Sequence, residues 1–168
     1  MTFEAMLTGG HPNSLGRTLE VVDAVLGDEP RLADLLDCYE SDDEVVRLRT
    51  SNALQRVTIE RPEWTVRHIG RLQDEVAAID QPSAQWTLAL VFHLIWDRLS
   101  EPERERALSI MRGNLAQHDD WIVLINSMKV LARRDPDRAA LRPLVERRLD
   151  DPRKSVASQA RKTLKTIS

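Results

Sequence analysis

The feature that most limits what this chain can fold into is a helix start signal that recurs along it. Aspartates that precede apolar segments are spaced 32 to 39 residues apart, at Asp42, Asp80, Asp119 and Asp151. A carboxylate at a helix N-terminus accepts hydrogen bonds from free backbone N–H groups and interacts favourably with the helix dipole. The spacing therefore predicts a repeating unit with one helix behind each aspartate.

Behind each aspartate runs a ladder of three core-forming residues spaced by four. The ladders are Val46–Thr50–Leu54, Ala84–Leu88–Phe92, Val123–Ser127–Leu131 and Val156–Ala160–Leu164. Residues four apart lie on one face of an α-helix, and a small central residue lets a neighbouring helix approach closely. Segments 85–99 and 121–132 are apolar nearly all round, so they are predicted to be central helices covered on both sides.

Other capping signals extend the helical pattern beyond the four ladders. Pro82 and the S-x-x-E capping box Ser41/Glu44 mark two of the ladder helices again. Further segments begin at Asn13, Pro30, Pro62, the second capping box Ser100/Glu103, and Pro136. Nine helical segments result, and no segment alternates apolar and polar residues as a strand does. We predict an all-α protein with a single domain over residues 1–168, in which residues 1–12 are loosely ordered.

Two of these helix starts resemble those of HEAT repeats, in the armadillo-type helical-repeat family. They are Asp42 with Val46 and Arg47, and Asp151 with Pro152 and Val156. The resemblance covers residues 31–167 and is closest to short bacterial HEAT-repeat proteins of unassigned function. It implies a short right-handed α-α superhelix, or solenoid, of about four to five helical hairpins.

Charge and cysteine content narrow the functional classes. The chain carries a net charge of -3, but residues 129–168 hold 12 basic and 5 acidic side chains. The single cysteine, Cys38, allows no internal disulfide, and the N-terminus lacks the pattern of a signal peptide. The longest apolar stretch, 86–96, is too short to cross a bilayer. We expect a cytoplasmic protein that does not enter a membrane.

Candidate catalytic patterns are weak. Residues 10–18 resemble a P-loop only loosely, because five residues separate the glycines and Arg17 replaces the lysine. His93 and Asp97 lie four apart and could form half of a metal or acid–base site, but no third ligand has suitable spacing. HEAT-like repeats also occur in some glycosylases and lyases, so the resemblance alone leaves an enzyme open. We expect no enzymatic activity, no cofactor and no metal.

The repeat alignment itself supplies the best candidate site. Equivalent positions of stacked repeats line up in space, which predicts a polar, partly basic stripe on one side of the molecule. The polar stripe comprises Arg49, Asn52, Arg56, Asn126, Lys129, Arg133, Gln159 and Lys162. The stripe favours a protein-protein interaction or scaffold module, since it could hold an acidic segment of a partner. An ordinary solvated helix face would show the same pattern.

The alternative function is nucleic-acid binding through the basic C-terminal part of the chain. The cations concerned are Arg133, Arg134, Arg138, Arg142, Arg147, Arg148, Arg153, Lys154, Arg161, Lys162 and Lys165. Against this alternative, the sequence pI is about 5.8, whereas dedicated nucleic-acid-binding domains usually lie above about 9.

Overall fold

The computed structural model describes residues 1–168 and confirms the all-α prediction, with eleven α-helices and no strand. The helices are α1 (Phe3–Leu7), α2 (Thr18–Gly27), α3 (Arg31–Asp37), α4 (Glu44–Glu60), α5 (Pro62–Val66), α6 (Ile69–Asp74), α7 (Pro82–Ile95), α8 (Glu101–Gln117), α9 (Trp121–Arg134), α10 (Arg138–Glu146) and α11 (Lys154–Ile167). Short 3₁₀ turns follow α3, α6 and α7. None of the eleven helices combines the length and apolar character needed to cross a membrane.

Five helices form a main row, in which α2, α4, α7, α9 and α11 each pack against the next. A second row lies against the first. In it, α3 contacts α2 and α4, α5 contacts α4 and α7, α8 contacts α7 and α9, and α10 contacts α8 and α11. Along the chain, α2 and α4 are each followed directly, and α7 after one 3₁₀ turn, by a second-row helix that packs against them, whereas α10 packs on α8 and α11.

The four ladders lie on the buried faces of α4, α7, α9 and α11. Eleven of the twelve ladder residues are buried, and Leu164 is half-buried against the core. Thr50 satisfies its hydroxyl by donating to the carbonyl of Val46 at 2.8 Å, whereas Ser127 Oγ has no partner. The four-residue spacing therefore identified the buried face of each main-row helix correctly.

The repeating aspartates lie close to the helix starts but are not the caps themselves. Three of them lie one residue before the N-cap, and Asp151 lies two residues before it. Asp43, not Ser41, caps α4, and its carboxylate accepts a hydrogen bond of 2.8 Å from a backbone N–H of the first turn. At α8 the predicted capping box is present, with Ser100 and Glu103 each accepting from the other's backbone N–H.

The first twelve residues are more ordered than the sequence predicted. Residues Phe3–Leu7 form α1, whose capping residue Thr2 accepts from a backbone N–H at 3.2 Å. Phe3 and Leu7 are four apart and both are buried, so α1 packs one apolar face against α2 and α4. The repeat alignment did not include this helix, since no other segment of the chain matches it.

The connection from α1 to α2 is organised by Arg49, which is only 2% exposed. Its guanidinium donates to the backbone carbonyls of Leu7 and Gly9 at 2.6 Å each, and of His11 and Ser14 at 3.1 Å each. This arrangement corrects the prediction that Arg49 belongs to an exposed stripe. The loop also differs from a P-loop in polarity. Its carbonyl oxygens point at the Arg49 cation, whereas the backbone N–H groups of a P-loop point at phosphate.

Glycine is required where this loop passes closest to Arg49. Gly16 has a φ of 53°, in the left-handed region, and a Cβ at this position would lie 3.0 Å from the guanidinium carbon of Arg49. Both the backbone conformation and the lack of space therefore exclude a larger residue without local rearrangement.

Removal of the Arg49 guanidinium should destabilise the whole fold. Arg49→Met keeps most of the side-chain volume but leaves four carbonyls without their donor, so the free energy of unfolding should fall by about 3 kcal/mol. The control Arg56→Met removes an exposed guanidinium and should change stability by no more than about 0.5 kcal/mol. Urea denaturation measures both, and an equal effect of the two changes would contradict the role assigned to Arg49.

The glycine positions offer a second matched pair. Gly16→Ala should lower the free energy of unfolding by about 1–2 kcal/mol, through left-handed strain and contact with Arg49. Gly113→Ala lies inside α8 with nothing near its added methyl group, so it should raise stability by up to about 1 kcal/mol. Thermal unfolding of the two variants should therefore shift in opposite directions.

Candidate partner-binding face

One strip of each main-row helix remains in solvent. The residues two, six and ten positions after each ladder's first member are half-buried or exposed in α4, α7, α9 and α11. They are Leu48, Asn52 and Arg56; Trp86, Leu90 and Leu94; Ile125, Lys129 and Arg133; and Ser158, Lys162 and Thr166. We call these twelve residues the outward face. Because the four helices pack side by side in order, the four strips lie next to one another.

Most of the predicted polar stripe lies on or beside this face. Five of its members belong to the outward face: Asn52, Arg56, Lys129, Arg133 and Lys162. Asn126 and Gln159 are half-buried one position further round their helices, and Arg49 occupies the same relative position in α4 but is fully inside. Arg49 is therefore the one member of the predicted stripe that is enclosed in the fold, because the loop between α1 and α2 surrounds its guanidinium.

The sequence analysis missed the apolar part of the outward face. It interpreted segment 85–99 as covered on both sides, but Trp86 and Leu90 are half-buried and Leu94 is 37% exposed. These residues are four apart, so they form a continuous apolar strip along α7. The signal was present in the sequence, because apolar residues occupy the positions where α9 and α11 carry Lys129, Arg133 and Lys162.

A groove of about 420 Å³ crosses the outward face between α7, α9 and α11. Its lining residues are Leu90, His93, Lys129, Val130, Ala132, Arg133, Gln159, Thr163 and Thr166. No acidic side chain is among them. Lys129, Arg133 and, beside the groove, Lys162 make no side-chain hydrogen bond or ion pair within the chain. The groove therefore offers cations that are free to bind an external anionic group.

Arg134 fixes the end of the groove next to α7. Its guanidinium donates to His93 Nδ1 at 3.1 Å, lies 3.6 Å from the Asp97 carboxylate and sits 5.7 Å from the ring centre of Trp96. His93 and Asp97 are thus both bound by Arg134 and do not form the direct pair that their spacing suggested. Burial, together with the positive charges of Arg134 and Arg133, lowers the pKa of His93. His93 is therefore neutral at neutral pH and contributes a polar group, not a cation.

The remaining candidates for chemistry are not assembled into a reactive site. Cys38 is buried, and burial raises the pKa of its thiol to about 11, so the thiol is protonated at neutral pH. No group of three or more His, Cys, Asp or Glu side chains is placed to hold a metal ion. The outward face is thus the best-defined candidate site in the molecule.

Much of the basic C-terminal segment is engaged within the fold. Arg148 donates to the carbonyls of Leu115 and His118, Arg138 to that of Ala132, and Arg153 pairs with Asp151. Arg134 and Arg142 also have acidic partners. Of the free cations, Lys154, Arg161 and Lys165 form a second strip of α11 beside that of Lys162, because their spacings of seven and four residues align them with one another. We call these three residues the edge strip.

No family model, curated protein or solved structure matches this chain. Its function is therefore inferred from the geometry of the outward face.

The environment of His93 predicts a pH dependence of stability. Its pKa is lowered on folding, so the unfolded chain binds more protons at this site than the folded chain as pH falls toward the ordinary value of about 6.5. The contribution of His93 to the free energy of unfolding is fully present above the ordinary pKa of about 6.5. It is lost as pH falls through the lower pKa of the folded state. Between pH 7.5 and 5.5 the free energy of unfolding should fall, and His93→Gln should reduce that fall.

Urea denaturation at each pH measures this effect. If His93→Gln leaves the pH dependence unchanged, His93 does not experience the environment described above.

Proposed function

We propose that this chain is a non-enzymatic protein-interaction module, and that its two rows are a short HEAT-like, armadillo-type solenoid whose outward face holds the partner. The observation that carries the proposal is the composition of that face. Leu90 of α7 and the free cations Lys129 and Arg133 of α9 line one groove, and the free cation Lys162 of α11 lies beside it. Stacked helical hairpins present extended surfaces of this kind, and a combination of exposed apolar area and charge is typical of protein-binding sites.

Several features favour a protein partner over nucleic acid. The free cations on the outward face are few, they stand beside apolar side chains, and the chain as a whole has a net charge of -3. A nucleic-acid site typically contacts six to ten phosphates, which requires a longer run of available cations. The single buried thiol of Cys38 suits a reducing compartment, which is consistent with a cytoplasmic location.

The edge strip supports nucleic-acid binding as the second candidate function. Lys154, Arg161 and Lys165 are exposed and make no ion pair, and they lie together on α11. Binding there would not involve the groove. The two functions therefore depend on different residues of the same helix row and can be separated by substitution.

Two double variants make this separation. Lys129→Glu with Arg133→Glu changes the groove, and Arg161→Glu with Lys165→Glu changes the edge strip. Both pairs are four residues apart on an exposed helix surface and both reverse two positive charges, so they have the same effect on net charge. None of the four side chains makes a hydrogen bond or an ion pair within the chain. Each variant should therefore remain folded, as circular dichroism can verify.

The experiment is capture of partners from a lysate of the source cells on each immobilised protein, with and without nuclease, followed by mass spectrometry. We expect at least one protein that the unchanged chain and the edge variant retain and the groove variant loses. Retention of the same proteins by all three chains would contradict the proposal. Nuclease-sensitive capture that the edge variant loses, and that weakens steeply with salt, would establish the nucleic-acid alternative in its place.

A further inference from the structure

We propose that the outward face binds an extended acidic segment of a partner protein, with an apolar side chain seated on α7 and carboxylates reaching α9 and α11. This inference rests on the proposed function, and it adds the chemistry and the approximate sequence pattern of the partner.

The apolar part of the segment has a defined place. Leu90 lines the groove, and Leu94 lies one helical turn beyond it on the same side of α7, 37% exposed. Val130 and Ala132 of α9 also line the groove but are themselves buried, so Leu90 and Leu94 provide the apolar surface that a partner can cover. A leucine, isoleucine or phenylalanine side chain of a partner would remove this surface from water, which is favourable in proportion to the apolar area covered.

The acidic part follows from charge complementarity. Lys129 and Arg133 line the groove without an acidic neighbour, and Lys162 stands between Gln159 and Thr166 on the adjoining strip of α11. A basic partner segment would meet only like charges here, and a neutral one would leave three cations without a counter-charge. Carboxylates can form charge-assisted hydrogen bonds with all three cations. Gln159 adds a neutral donor, because one N–H of its amide donates to Thr163 Oγ1 at 3.2 Å and the other is available.

The order of the helices sets the spacing within the segment. Packed helices lie about 8–10 Å apart, and an extended chain advances about 3.3 Å per residue, so a segment that crosses the row covers about three residues per helix. The geometry therefore favours an apolar residue, an acidic residue about three positions away at α9, and a second acidic residue about six positions away at α11. A helical segment, which rises about 1.5 Å per residue, would need about six residues for each step.

A display library of random twelve-residue peptides, selected on the intact chain, tests this pattern even though the partner is unidentified. Enriched peptides should carry an apolar residue followed or preceded by acidic residues at intervals of about three. Fluorescence anisotropy of synthetic copies should show binding at least about tenfold weaker to Lys129→Glu with Arg133→Glu, and also weaker to Leu94→Ser. Addition of salt should weaken the binding of the unchanged chain.

Two controls are matched to these variants. Arg161→Glu with Lys165→Glu reverses equal charge on the edge strip, and Leu19→Ser removes another exposed leucine, 48% exposed on α2. Neither should alter peptide affinity by more than about twofold. Peptides in which lysine replaces the acidic residues should lose binding to the unchanged chain and regain it with the groove variant.

Several results would overturn the inference. They are enrichment of basic or purely apolar peptides, affinities that the groove variant leaves unchanged, and failure to enrich any peptide. Such a result together with a lysate partner that depends on Lys129 and Arg133 would leave the proposed function intact and would remove only the acidic-segment assignment. If the peptide test fails and no lysate partner depends on Lys129 and Arg133, the proposed function is removed as well.

Discussion

Every interior helix of the main row must bury two of its sides against its neighbours. The rest of the structure depends on this constraint. In the row, α4, α7 and α9 each pack between two neighbouring helices with their ladders buried, and second-row helices contact them as well. Only one strip per helix then remains in solvent, at the same positions relative to each ladder. Side-by-side packing brings these strips together as the outward face, so the packing that stabilises the core also builds the candidate site.

Polar contacts complete this packing where apolar contact alone does not. Arg49 supplies the donors that the carbonyls between α1 and α2 require, and the closely approaching Gly16 makes room for its guanidinium. Near the other end, Arg112 of α8 binds the buried carboxylate of Asp135 in bidentate fashion, at 2.7 and 2.5 Å, and so fixes the residue that ends α9. Removing one partner of such a buried contact costs several kcal/mol, because the other group is left buried without a hydrogen-bonding or charged partner.

The sequence predicted the helical class and the buried face of each ladder, because four-residue periodicity is a local property of a helix. It placed Lys129, Arg133 and Lys162 correctly on one surface for the same reason. It misplaced Arg49, since the identity of an arginine does not reveal that four distant carbonyls surround it. Likewise α1, the groove and the exposure of Leu94 depend on contacts between separate elements, which periodicity along one helix does not describe.

The four lysines of the chain allow the most direct test of the claim that the outward face is the binding surface. Lys129 and Lys162 lie on that face, whereas Lys154 and Lys165 lie on the edge strip of the same helix row. The measurement is acetylation of each lysine, read by mass spectrometry, with and without a partner captured from lysate. The account predicts slower acetylation of Lys129 and Lys162 in the complex and unchanged acetylation of Lys154 and Lys165. Protection of the edge strip alone, or of none of the four, would contradict it.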